Sequence, residues 1–206
     1  MRHFGRITDN VYYFSGFEDD VGAGFIVTDE GIVVVDTTMI PTSASTLLGI
    51  IRMLYPNKDV IAIINTHVHI DHHFGNEVFV KEFPDVEIIA HRKFAEYLKE
   101  WAKESGRSIE RDLPERMLRR PDMKFLKPYL ETLKVIPSSK IVYGDTTMEF
   151  GDTEIRIIHA PSHTEALFVV YLPQEKVLFA SDTIYTPNRI PTLFMGDPDT
   201  WISTPK

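Results

Sequence analysis

Four of the chain's eight histidines lie in one short segment, Thr66-His67-Val68-His69-Ile70-Asp71-His72-His73. This segment directly follows Val60 to Ile64, a continuous apolar run that is typical of a strand buried on both faces. Side chains alternate along an extended chain, so His67 and His69 could point the same way and reach one metal ion. Imidazole and carboxylate groups together suit zinc and similar first-row ions. The pattern predicts a metal site on the loop that leaves this strand.

The second half of the segment favours a further ion. If the chain turns after Ile70, Asp71 and His72 would face a neighbouring position where a second ion could sit. A solvated polar loop is the simpler alternative. It explains the cluster poorly, because so many pH-sensitive side chains rarely gather beside a buried strand without a ligand.

A histidine at a later strand end could complete the first site. His163 follows the strand predicted for Glu154 to Ile158, and taken alone it suits a loop histidine better than a ligand. A catalytic zinc ion usually has three protein ligands and one water. His67, His69 and His163 would supply that arrangement.

Two carboxylates also follow strands. Asp182 comes after Val177 to Ala180, and by itself it would be a helix cap or turn residue. Beside the histidines, a carboxylate at this position is the natural bridge between two ions. Asp36 follows Val33 to Val35 and is interpreted as a support that orients the ligand loop. A plain turn role explains Asp36 almost as well.

Periodicity and turn signals predict the elements that position these residues. Helices are expected from Pro41, with an apolar face through Leu54, over Gly75 to Glu82, and around Phe94 to Trp101. The succession of strand, helix and buried strand favours a βαβ unit, and the whole order favours two packed sheets with helices outside. Strands are predicted at Val11 to Ser15, Ala23 to Val27, Ile32 to Val35, Val60 to Ile64, Val86 to Ala90, Ile141 to Val142, Thr146 to Phe150, Glu154 to Ile158, Leu167 to Leu172 and Val177 to Ala180.

The bulk composition fits one domain over residues 1–206, with 43% hydrophobic residues available for a core. Residues 103–135 are charged and interrupted by prolines, and we interpret them as an irregular helical insertion near the site. A solvated surface insertion is an equally good explanation. The net charge of -8 disfavours a partner held through nucleic-acid phosphates.

The order of these motifs resembles the metallo-β-lactamase superfamily. Its hallmark His-x-His-x-Asp-His after a strand is matched by His67, His69, Asp71 and His72. The likeness runs from about Ile7 to the C-terminus. Asp36 matches the family's early Asp, His163 its later lone His, and Asp182 its bridging Asp. The resemblance implies an α/β fold, a four-layer αββα sandwich with the metal ions at one edge of the sheets.

The resemblance also implies a ligand set and a reaction. His67, His69 and His163 would hold the first ion, and Asp71, His72 and the bridging Asp182 the second. Two zinc ions are expected, although iron and manganese accept the same ligands. The implied reaction is hydrolysis of an ester, lactone or phosphoester by a metal-bound hydroxide. Asp71 could accept the proton that the nucleophile releases.

The chain departs from the family pattern in three places. Ser162 and Ser181 stand where the family usually has Gly, and the chain has no Cys ligand. No histidine follows Asp182, although the family usually adds a last ligand there, so we expect a shortened C-terminal part. His91 is the unassigned histidine at a strand-to-helix junction, and we interpret it as a helix-start residue.

Two further residues and several alternatives stay open at this stage. Tyr185 and Arg189, just past Asp182, are candidates for substrate contact, although ordinary loop roles are simpler. One alternative activity is that of a mononuclear iron oxidoreductase resembling sulfur dioxygenases, and another is a non-catalytic module. A nuclease is disfavoured by the acidic charge.

The expected partner is a small-molecule substrate, without nucleic acid or membrane. The first residues contain no long apolar run of the kind found in signal peptides, and no stretch approaches the ~20 apolar residues of a membrane helix. A cytoplasmic location is therefore the default expectation. The sequence leaves the oligomeric state open and is compatible with a homodimer.

Overall fold

A computed structural model describes residues 3–16, 22–105, 134–184 and 197–203, with side chains described up to residue 100 in the second range. Within these ranges the chain forms eleven strands in two sheets, with α-helices packed around them. The strands are β1 (Phe4–Arg6), β2 (Val11–Ser15), β3 (Gly22–Val27), β4 (Ile32–Val35), β5 (Val60–Ile64), β6 (Glu87–His91), β7 (Lys140–Val142), β8 (Thr146–Phe150), β9 (Thr153–His159), β10 (Phe168–Leu172) and β11 (Val177–Phe179). The helices are α1 (Pro41–Leu54), α2 (Ile70–His73), α3 (Asn76–Glu82), α4 (Arg92–Ser105) and α5 (Pro198–Ser203).

The first sheet has seven strands in the order of the chain, β1 to β7. Neighbours from β1 to β4 are antiparallel, whereas β4, β5, β6 and β7 run parallel to one another. Strands β4 and β5 consist almost entirely of buried aliphatic residues, as expected for parallel strands covered on both faces. Because parallel strands end at the same edge, the residues that follow β4, β5 and β6 are brought side by side.

The second sheet is antiparallel, in the order β11-β10-β9-β8. Its inner face packs on the inner face of the first sheet and excludes water from the apolar side chains of both, which is the main stabilising contribution of such a sandwich. This inter-sheet core is formed by Val11, Ile26, Val33, Val35, Ala62, Ile64, Ile89, Val142, Ile155, Ile157, Phe168, Val170 and Leu172.

Helices α1 and α3 cover the outer face of the first sheet. Pro41 occupies the first turn of α1, where its missing N–H has no intrahelical acceptor in any case. Ala44, Leu47 and Ile51 recur at helical spacing and are completely buried against the sheet, together with Phe79 of α3. This layer fixes the position of the loops that leave β4 and β5.

The predicted α/β class, the paired sheets and the βαβ unit β4-α1-β5 are confirmed. Strand β1 and the single-turn helix α2 are among the short elements that were not predicted. Helix α4 extends through residue 105, so the first part of the predicted 103–135 insertion is helical, and residues 106–133 lie outside the described residues. In the described part of the chain, no helix is both long and apolar enough to cross a membrane.

Candidate metal centre

The candidate site lies where strands of both sheets end. The loop after β5 carries His67 and His69, the loop between β9 and β10 carries His163, and Asp182 lies in a 3₁₀ turn after β11. The N–H of Phe168, the first residue of β10, donates to the carbonyl oxygen of Thr66 at 2.8 Å. This bond ties the second sheet to the ligand loop of the first.

The first donor group contains His67, His69 and His163. Nδ1 of His69 lies 3.1 Å from Nε2 of His67 and 2.8 Å from Nε2 of His163. Nitrogens bound at ~2.0–2.1 Å in a tetrahedron are ~3.3 Å apart, so this spacing suits ligands of a single ion. Hence the imidazole of His163 converges with those of His67 and His69, although it lies 94 residues after His69 in the sequence.

The second donor group contains His67, His72 and Asp182. The two oxygens of Asp182 face different groups: Oδ1 lies 3.5 Å from Nε2 of His72, and Oδ2 lies 3.5 Å from Nε2 of His163. The carboxylate therefore spans both donor groups. A residue that bridges two ions would take such a position.

Asp71 lies beside the second donor group but is not a member of it. It was expected to join His72 and Asp182, but among the described residues the second group takes His67 instead. Asp71 stands beside that group, with Oδ2 3.8 Å from Nε2 of His72, and its side chain is 36% exposed, whereas that of His72 is 3% exposed. The difference follows from helix α2, because consecutive helical side chains point ~100° apart.

Asp36 lies beneath the ligand loop. Its Oδ1 accepts the backbone N–H of Thr66 at 2.8 Å, and its Oδ2 accepts the Thr66 hydroxyl at 2.7 Å. Oδ2 also lies 2.8 Å from Nδ1 of His72, whose N–H donates to it. A carboxylate that holds the far nitrogen of an imidazole leaves Nε2 directed at the site.

A hydroxyl network extends from Asp36 to the first group. The Ser181 hydroxyl lies 2.7 Å from Oγ1 of Thr66, and Nδ1 of His67 lies 3.2 Å from that same oxygen. An N–H on Nδ1 of His67 that donates to Thr66 leaves Nε2 free of its proton and available to an ion. Neither Thr66 nor Ser181 was given a role from the sequence. The signal for Ser181 was its replacement of the usual Gly.

Backbone strain is concentrated around this network. Asp36, Thr38 and Ser181 have φ values of 58°, 67° and 50°, in the left-handed region that residues other than glycine rarely adopt. Asp36 and Ser181 both make the hydrogen bonds that orient the imidazoles. Strain of this kind persists where the surroundings hold it and is typical of functional sites.

The imidazoles have opposite charge preferences. Burial, followed by the neighbouring histidines, holds the pKa of His67 well below its ordinary value, and burial lowers the pKa of His69 to about 4. Burial also disfavours the His72 cation, but the carboxylates of Asp36, Asp71 and Asp182 outweigh it and raise the pKa of His72 to about 10. At neutral pH the ion-free centre thus holds neutral His67 and His69 beside a protonated His72.

The remaining predicted residues fall outside the two groups. His91 ends β6, and its Nδ1 accepts the backbone N–H of Lys93 at 3.3 Å, consistent with the predicted role at a helix start. Its ring stacks on His159 at 4.2 Å, away from the donor groups. Tyr185 and Arg189 lie outside the described residues.

The fold and the site have the architecture of a known superfamily of metal-dependent proteins. The family model described as "Metallo-beta-lactamase superfamily" matches residues 18–205. The chain belongs to the metallo-β-lactamase superfamily, and its fold is the αββα sandwich of that family. This fold implies a divalent metal ion, and the two donor groups could bind one.

Solved structures resemble the chain over most of its length. A metallo-beta-lactamase from Pontibacter korlensis has a TM-score of 0.71 at 19% identity, covering 96% of this chain and 80% of that one. A sec-alkylsulfatase from Pseudomonas sp. has a TM-score of 0.62 at 20% identity, covering 85% of this chain and 30% of that one. At such identities the likeness concerns the fold alone.

Curated relatives are also similar. The hydroxyacylglutathione hydrolase of Nostoc sp. is 27% identical over 163 residues, which are 77% of this chain and 48% of that protein. The 2,4-dinitroanisole O-demethylase subunit alpha of Nocardioides sp. is 27% identical over 183 residues, which are 87% of this chain and 43% of that protein. The chain therefore spans about half the length of these relatives.

Proposed function

We propose that this chain is a metal-dependent hydrolase that cleaves an ester-type bond of a small molecule. The observation that carries the proposal is the position of Asp182, whose two oxygens lie 3.5 Å from Nε2 of His163 and of His72. A carboxylate shared by two donor groups suits a pair of neighbouring cations. Such pairs serve the hydrolysis of carbonyl and phosphoryl compounds.

The donor chemistry fits divalent zinc. Imidazole nitrogens and a carboxylate are ligands that zinc, iron and manganese accept. His67, His69 and His163 would hold one ion, and His72 and Asp182, with Asp71 beside them, the other. When bound, these ions supply a nucleophilic water at neutral pH and stabilise the negative charge that develops on the attacked group.

The chain's own residues would then orient the centre and carry the proton. Asp36 fixes the ring of His72 through Nδ1, and Thr66 with Ser181 fixes the ring of His67. Asp71 is the carboxylate most open to substrate, because its side chain is 36% exposed beside the second group. Oδ2 of Asp71 is the proposed acceptor of the proton that the attacking water releases.

The substrate we favour carries an acyl group on a thiol. The Nostoc relative is named for hydroxyacylglutathione, in which the acyl group is bonded to sulfur as a thioester. A thioester, a lactone and a carboxylic ester share the carbonyl that the proposed centre would attack. Phosphoesters are the second class, since a paired metal site also suits phosphorus.

The test combines metal content with turnover. Elemental mass spectrometry measures the metal content of the purified chain. Turnover is then assayed with added zinc or manganese, as thiol release from acyl thioesters and as chromophore release from esters and phosphoesters. H163A and D182N should bind less metal and lose at least ~100-fold in turnover, because each removes a ligand. H159Q is the matched control, since His159 ends β9, the strand that leads into the His163 loop, and lies outside both donor groups.

The outcomes separate the competing functions. Metal-dependent turnover that survives in H159Q and is lost in H163A supports the proposal. One tightly bound iron per chain, with no hydrolysis of any substrate, would favour the mononuclear oxidoreductase instead. Bound zinc with no turnover on any substrate class would leave a metal-binding module and refute the hydrolase.

A further inference from the structure

Trp201 of α5 contacts the loop that carries Asp182. Its indole N–H donates to the carbonyl oxygen of Thr183 at 3.1 Å, one residue after Asp182. Within the 3₁₀ turn that presents Asp182, the N–H of Thr183 donates to the carbonyl of Ala180 at 3.2 Å. The indole adds an attachment from outside this short turn.

The same side chain contacts a ligand of the other donor group. The Trp201 ring lies edge-on to the imidazole of His163, with centroids 5.8 Å apart and an interplanar angle of 68°. The Ser162 hydroxyl, next to His163, lies 3.3 Å from Oγ1 of Thr183. Trp201 thus joins the His163 loop to the Asp182 loop, and the two loops also contact each other.

Helix α5 is built to hold this indole in place. The carboxylate of Asp197 accepts the backbone N–H of Thr200 at 2.8 Å and its hydroxyl at 2.6 Å. The carbonyl of Asp197 accepts the N–H of Trp201 at 2.9 Å. Capping of this kind stabilises the first turn of a helix and fixes the direction of its side chains.

We propose that Trp201 is a positioning residue of the metal centre. Its N–H sets the Thr183 carbonyl and hence the Asp182 carboxylate, and its ring limits the rotation of the His163 imidazole. A bridging carboxylate must direct one oxygen at each ion, so a small rotation of the turn would unbalance the two sites. The inference rests on the metal centre of the proposed function, but not on the reaction.

The two contacts can be separated by substitution. W201F keeps an aromatic ring beside His163 but removes the N–H that holds Thr183, whereas W201A removes both contacts. Ile202 is the matched control, because it is the next residue of α5 and is 80% exposed. The ion-free variants are titrated with Co²⁺, which reports coordination through its visible absorption, and with Zn²⁺ in competition with a chelator.

W201F should weaken the second Co²⁺ or Zn²⁺ ion by ~10–100-fold, the usual effect of removing a residue that orients a ligand, and weaken the first ion less, because the ring beside His163 is kept. W201A should weaken both ions, and I202A neither. The Co²⁺ absorption spectrum of W201F should differ from that of I202A at full occupancy. A merely structural role of Trp201 would instead lower the melting temperature of the ion-free protein and leave both affinities and the spectrum unchanged.

Fluorescence provides an independent measurement. The chain has two tryptophans, so W101F leaves Trp201 as the single indole. Addition of Co²⁺ to W101F should quench its emission at the stoichiometry of ion binding, because the ring is in contact with His163. The inference would be overturned if W201F had the ion affinities and the Co²⁺ spectrum of the wild type. It would also be overturned if bound Co²⁺ left the emission of W101F unquenched. A chain that binds ions as described but hydrolyses nothing would refute the proposed reaction and leave the role of Trp201 standing, and a chain that binds no ion would refute both.

Discussion

Asp36 and His72 form a buried ion pair beneath the candidate metal centre, with Oδ2 of Asp36 2.8 Å from Nδ1 of His72. Their side chains are 4% and 3% exposed. The carboxylate also accepts two hydrogen bonds from Thr66, so it fixes a ligand and the loop that precedes two others. The buried carboxylate of Asp36 therefore orients His72 directly, and it orients His67 and His69 through Thr66.

Replacement of Asp36 should affect stability and metal binding to different extents. D36N keeps a residue that tolerates the left-handed φ of 58° and retains one acceptor, but it removes the charge. D36A adds backbone strain and leaves the buried N–H of Thr66 without its acceptor. We expect D36A to lower the unfolding free energy of the ion-free protein by ~2–4 kcal/mol, and D36N by less.

Urea unfolding of the two variants gives these free energies, and a chelator competition gives the affinities. In D36N the ion held through His72 should bind ~10–100-fold more weakly, because the imidazole loses its orienting partner. Equal affinities in D36N and the wild type would show that the ring of His72 is held by other contacts.

Ion binding should release a proton from His72 and none from His67 or His69. The pKa of His72 is raised to about 10, so at pH 7.5 the ion-free protein holds this proton, and a metal ion can bind only after expelling it. The pKa values of His67 and His69 are lowered, so these rings are already neutral. Affinity for the ion that engages His72 should thus rise ~tenfold per pH unit between pH 6.5 and 8.5, with no contribution from His67 or His69.

Calorimetric titration in two buffers of different ionisation enthalpy counts the released protons. On binding the ion that engages His72, the wild type should release more protons than D36N, where the imidazolium has lost its buried partner. Proton release confined to the first ion would reverse the assignment of charge in the centre.

The sequence predicted the elements that depend on local pattern. Strands β4 and β5 are unbroken apolar runs, so their bounds were predicted to the residue. Strand β1 was missed because Phe4–Arg6 is short, contains Gly5, and exists by pairing with β2. Helix α2 was missed because four residues are too few to show a helical period.

For the site too, the types of residue could be predicted from the sequence, whereas their arrangement in space could not. Histidines and carboxylates at strand ends could be recognised because metal chemistry requires those groups. The grouping of His67 with His72, and the displacement of Asp71 to a more exposed position, depend on how α2 turns and could not be predicted. Ser181 and Trp201 act through contacts between loops that are remote in sequence, and beyond the replacement of the usual Gly at 181 no local pattern marks them.

At Ser181, a strained backbone conformation and a hydrogen bond should have opposite effects on stability. Its φ of 50° favours glycine, while its hydroxyl bonds Thr66 at 2.7 Å. S181G relieves the strain and loses the bond, whereas S181A keeps the strain and loses the bond. We expect S181G to be more stable than S181A by ~1–2 kcal/mol in urea unfolding. Both should weaken ion binding at His67 to a similar extent, and a difference between them there would mean that the backbone, and not the hydroxyl, orients this ring.

Gly49 and Gly75 should respond to alanine in opposite directions. Gly49 is exposed in α1, and a methyl group added there would meet nothing within 4 Å, so G49A should raise the unfolding free energy by ~0.5–1 kcal/mol through helix propensity. A methyl group on Gly75 would overlap the carbonyl oxygen of Thr37 and lie 2.8 Å from Cβ of Ala44. G75A should therefore lower the unfolding free energy by ~1–3 kcal/mol.

Since the N–H of Thr37 donates to the carbonyl of His72 at 2.9 Å, G75A should also weaken the binding of the ion held through His72, while G49A leaves it unchanged. Urea unfolding and chelator competition on the two variants measure both effects, and an unaltered affinity in a destabilised G75A would show that this loop shifts without moving the ligand.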